Sequence, residues 1–151
     1  MKSRYVLVPV FLLLSLIANA IFIPKYLALH GASNKVNAAI WNAVHEANQS
    51  MELYDNTHSS SALGGAATFL LRASGELQQY SSSTGDGTTA QFANMLSSLG
   101  EDIVLKKNIQ RDSQIVSRIA KKLPSSSNQA QFDKGVESIL KEYPPAKYGL
   151  Y

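Results

Sequence analysis

Cysteine is absent from this 151-residue chain. That excludes a disulfide framework, a thiolate metal site and a lipidated N-terminal cysteine. A strong excess of either charge is also missing, with 14 Lys and Arg against 11 Asp and Glu. Once Lys2 and Arg4 are set apart, 12 basic residues face 11 acidic ones. So even a balance gives no footing for bulk nucleic-acid binding. Runs that alternate apolar and polar residues are lacking, so no strands are expected.

Catalytic and metal-binding patterns are as scarce. His30, His45 and His58 lack the pairing of two histidines four apart on one helix that a zinc-protease signature needs. They read as ordinary surface or half-buried side chains. The serines cluster in turns, where capping explains them, and no Gly-x-Ser-x-Gly elbow is present. Gly85-Asp86-Gly87 has neither the further glycine of a nucleotide-binding loop nor the ligands of an EF-hand, and reads as a tight turn. Glu101 and Asp102 are sequence neighbours and point about 100° apart on a helix, so they do not converge for acid–base work. Asn48-Gln49-Ser50 matches a glycosylation acceptor but falls within an expected helix. No cofactor is implied.

What the chain does have is one long apolar run. Tyr5 to Ile23 carries no charge over 19 residues, with Lys2 and Arg4 before it and Pro24 and Lys25 after it. As a helix it reaches roughly 28 Å, close to the ~30 Å core of a bilayer. Two readings compete. Ala18-Asn19-Ala20 resembles a small-x-small cleavage site, which would make this a secretory signal and release a chain beginning after Ala20. Against that, Ile21, Phe22 and Ile23 carry the run past the cut to spanning length. A signal anchor is the favoured reading: a single-pass membrane helix over 1–23, with its N-terminus cytoplasmic because Lys2 and Arg4 are the tighter basic cluster. The sequence contains no second run of spanning length. An exported chain without cysteine suits a bacterial envelope.

About 128 residues follow the run, enough for one modest domain. Residues 24–33 read as a juxtamembrane connector, with Tyr26 an interfacial anchor. Over 34–57, Val36, Ile40, Val44, Ala47, Met51 and Tyr54 repeat in steps of three and four, and Trp41 widens the stripe. A second helix is expected over 62–80; Gly64, Gly65, Ala66 and Ala67 at its start point to a close crossing with a neighbour or to a small recess. Ser81 to Gly87 reads as a loop. Thr88 to Gln91 reads as a capping box opening a helix that either ends at Gly100 or, the preferred reading, continues to Leu123 with weak points at Gly100 and Asn108. After Pro124, Ser126 to Gln129 is a second capping box. Phe132, Val136, Ile139, Leu140 and Tyr143 then stripe the last helix, and 144–151 form a tail. The expected fold is all-α, with 34–143 an antiparallel bundle of four or five amphipathic helices.

One surface feature carries a candidate site. Lys106, Lys107, Arg111, Arg118, Lys121 and Lys122 fall within 17 residues, and Asp112 is the acidic residue among them. Lys107, Arg111, Arg118 and Lys122 follow in steps of four, seven and four, one face of the expected long helix. That face is either an ordinary solvated surface or a patch for anionic lipid headgroups or wall polymer. Three functions are therefore weighed: a non-enzymatic interaction module or accessory subunit in an envelope complex, an extracytoplasmic small-ligand sensor, and an envelope hydrolase. The anchor and the amphipathic helices favour the first.

Overall fold

The computed structural model describes residues 33–125 and 128–144. The described residues from Asn34 on belong to one compact unit. The expected membrane helix and most of the connector lie outside the described residues, as do Ser126 and the tail beyond Pro144. Among the described residues there are five α-helices and no strand. None of these helices is long and apolar enough to cross a membrane.

The first helix, α1, occupies 33–57, and its buried stripe of Ile40, Val44, Ala47 and Met51 is the one its spacing predicts. It stops at His58, whose backbone turns into the left-handed region (φ 52°) while its N–H still bonds Tyr54 O at 2.7 Å. α2 follows at once, over Ser60–Thr84. It is longer than expected because the serine run continues the helix instead of leaving it. Ser82 and Thr84 donate to the carbonyls of Gln78 and Tyr80 one turn back, and Ser81 and Ser83 reach the same two carbonyls. Self-bonded hydroxyls of this kind fit inside a helix. Gly85 then ends α2 with φ 74°, a conformation that glycine adopts without steric cost.

α3 spans Gly87–Val104. Its cap is Asp86, which accepts the Thr88 N–H at 3.0 Å and a bond from the Thr89 hydroxyl. The expected box at Thr88 is thus displaced by a carboxylate two residues earlier, a strong N-cap group. α4 covers Ile109–Lys122 and α5 covers Gln129–Glu142. α5 is capped by Asn128, which accepts from the amides of Ala130 and Gln131.

The single long helix over 88–123 is corrected to two. The break falls at Asn108, whose side chain accepts the Arg111 N–H at 3.2 Å and starts α4. Lys106 ahead of it turns the chain with φ 53°. Gly100, the other weak point, stays helical and buried. A Cβ there would meet Leu71 Cγ at 2.9 Å and Ala67 O at 3.3 Å, so Gly100 lets α2 and α3 approach. Among α2 to α5 that pair is the most extensive. The small start of α2 also lies against a neighbour, with Gly65 facing Ser50 of α1 and Ala66 and Ala67 buried.

Contacts order the helices. Asp55 near the end of α1 accepts a bond from Ser113 in the first half of α4, so α1 and α4 meet beside the α1–α2 and α3–α4 turns. α5 gathers at the other end. Its Gln129 accepts from Asn37 early in α1, its Glu142 meets Arg118 and Lys122 late in α4, and its Asp133 shares a cleft with Asp86 and Thr89 at the start of α3. One continuous core includes side chains of all five helices, among them Ile40, Leu70, Phe92, Ile119 and Phe132. One end is therefore closed by α5 and the other is formed by two tight turns.

Candidate functional site

The basic residues stand around α4, and the α3–α4 break changes how they relate. Lys107 lies in the turn and not on a helix, so it does not share a helical face with the rest; Arg111, Arg118 and Lys122 do lie on α4. Each of the four has a carboxylate partner. Lys107 Nζ is 3.0 Å from Asp102 Oδ1, and Arg111 Nη2 is 3.0 Å from Asp102 Oδ2. Arg111 also donates twice to Asp112 Oδ1, from Nε at 2.9 Å and from Nη2 at 2.7 Å. Further along, Arg118 Nη1 is 2.7 Å from Glu142 Oε1, and Lys122 Nζ pairs with Glu142 Oε2.

The patch is thus two clusters. At the α3–α4 corner two cations meet two carboxylates, and their charges cancel. On the α4–α5 side two cations share Glu142, which leaves one positive charge over. Hydrogen bonds from Lys122 and Arg118 hold the Glu142 carboxyl down at about 2. Its folded-state value lies below its ordinary 4.5, so its stabilising share is complete above that value and is lost as pH falls toward 2.

Asp112 behaves in the opposite way. It is 0% exposed, and its Oδ2 has no hydrogen-bond partner. Burial pushes its carboxyl above the ordinary value, and the hydrogen bond and charge of Arg111 pull back only part of the way. Here the folded state binds the proton more tightly than the unfolded chain. Its contribution to stability is therefore full in acid and falls as pH rises through the raised value.

Sequence reasoning missed Asp102 and Glu142 as partners. Asp102 reaches Lys107 and Arg111 across a turn, and Glu142 is on another helix, so no periodic signal joins them to the basic residues. Asp112 did leave a signal. It fills the gap in the apolar stripe Ile109, Val116, Ile119, three residues after Ile109 and four before Val116, where an acidic residue is out of place.

The other candidates are accounted for locally. His45 stacks on Trp41, with ring centres 3.9 Å apart, and its Nδ1 is 2.9 Å from Trp41 O. His58 meets the Tyr54 ring edge-on, and His30 lies outside the described residues. Asn48 donates to Glu52 within α1. Among the described residues no group of three or more His, Asp or Glu is placed to hold a metal ion. A cleft of about 450 Å³ opens between the end of α1 and the start of α4, lined by Tyr54, Asp55, His58, Ile109, Ser113 and Gln114. No family model, curated protein or solved structure matches this chain.

Proposed function

We propose that this chain is a single-pass membrane protein whose helical bundle lies outside the cytoplasm and serves as a non-enzymatic interaction module, an accessory subunit of an envelope complex. The observation that carries this reading is the uncharged run Tyr5 to Ile23 joined to a bundle with its own core. The bundle has two unlike ends, which suits a docking role. α5 covers one of them. The other exposes Leu53, Val104 and Leu105, each more than half accessible, next to the two turns. Large apolar side chains left in water beside a cleft are a common mark of a binding surface. Anionic lipid or wall polymer is a second partner, drawn to the basic residues around α4, although Asp102, Asp112 and Glu142 offset part of that attraction.

The cleft between Tyr54 and Gln114 supports the sensor as a second reading, because about 450 Å³ falls within the usual range for a small-ligand site. A photoreactive residue placed in the full chain in membranes separates the two. In place of Leu105 it should give a protein adduct of discrete mass, and in place of Ser83, at the end near α5, it should give none. A chain that stays unlinked from both positions would count against the interaction module and leave the sensor as the better reading.

A further inference from the structure

Asp112 is the one charged side chain among the described residues that is wholly withdrawn from solvent. Its two oxygens live in different surroundings. Oδ1 takes both N–H groups of Arg111, whereas Oδ2 has no partner at all. An unpartnered buried polar atom is uncommon in a native fold and calls for a reason. Arg111 favours the ionised carboxylate from the Oδ1 side. The dry surroundings of Oδ2 favour the neutral acid, whose proton would sit there.

The arginine is also the link between two helices. Its Nη2 reaches Asp102 on α3, which in turn holds Lys107 in the turn. The network spans the corner in which Lys106 adopts its left-handed backbone. We propose that Asp112 is an acid-released latch on Arg111. Ionised, it holds the guanidinium against the α3–α4 corner; protonated on Oδ2, it releases the guanidinium, which keeps its bond to Asp102 and turns further to solvent. Acid then loosens the corner and leaves Arg111, already part-exposed, held with Lys107 by Asp102. The step is one reversible protonation and needs no other reactant.

The charged groups that act on Asp112 are Arg111 on its own helix, Asp102 on α3 and Lys107 in the turn. From α1, Asp55 approaches the same helix but is engaged by Ser113. The burial that raises the Asp112 carboxyl, with Asp102 adding to it, brings the release to a milder acidity than an ordinary aspartate would need.

The test is a titration of the full chain in detergent micelles by NMR, following the aspartate carboxyl carbons and the arginine Nε–H signals. The Asp112 carboxyl and the Arg111 Nε–H should change together in one step, with a midpoint above the ordinary ~3.9. Asp102→Asn should keep that step and lower its midpoint, because it removes a neighbouring negative charge. Asp112→Asn should hold the Arg111 signal at its acid position throughout. If that variant does not fold, the wild-type and Asp102→Asn titrations decide the matter alone. An Arg111 signal that stays still while Asp112 titrates would overturn the latch, as would an Asp112 midpoint at or below the ordinary value.

Discussion

Arg111→Met should destabilise the bundle by roughly 3–5 kcal/mol at neutral pH, the cost of leaving a buried charge without its partner. Asp112→Asn, on the other side of the same pair, should be close to neutral. The asymmetry comes from exposure. Asp112 is 0% exposed and has no second cation on it at hydrogen-bond distance, so losing Arg111 strands it. Arg111 has a 42% exposed side chain and keeps Asp102, so it tolerates losing Asp112. The penalty for Arg111→Met should shrink as pH falls. Without the arginine the folded-state value of Asp112 rises further, and the protein gains stability on protonation across the window between the unfolded and folded values. Urea denaturation followed by circular dichroism at two pH values measures both effects. The double variant Arg111→Met with Asp112→Asn should recover most of the loss, since neighbouring sites that share one interaction do not add.

The second large effect is a reversal of size. Phe92→Ala should cost about 3–5 kcal/mol, because its ring is 0% exposed in the first half of α3 and truncation leaves a cavity in the core. Trp41→Ala removes more atoms yet should cost less. Its indole is half-buried, packed on the core along one side and stacked on His45 on the other. The same denaturation series checks the pair, and a Trp41 loss as large as that of Phe92 would place the indole in the core after all.

How much of this was legible depends on the range of the interaction involved. The stripe of α1 is a local, periodic signal, and it placed the helix over 34–57 against the observed 33–57. Helix ends were less readable because several polar groups competed for each cap. Asp86 took the role expected of Thr88, and the hydroxyls of 81–84 bonded back into α2. Gly100 looked like a break by propensity, but tertiary packing gave it a different task beside Leu71, and the break went to Asn108. The basic face was readable as a count of charges. Its partial neutralisation by Asp102 and Glu142 was not, since those partners are brought in by a turn and by the path of α5. The apolar run of Tyr5 to Ile23 remains a reading of the sequence, outside the described residues.

That run carries the central claim, so its fate in the cell is the most direct measurement. Membranes from cells expressing the full chain are extracted with alkaline carbonate, and the N-terminus of the retained protein is determined by mass spectrometry. The chain should stay in the membrane pellet with Tyr5 to Ile23 still attached, because an uncharged run of this length is held by the bilayer core. A carbonate-soluble protein beginning at Ile21 would contradict it.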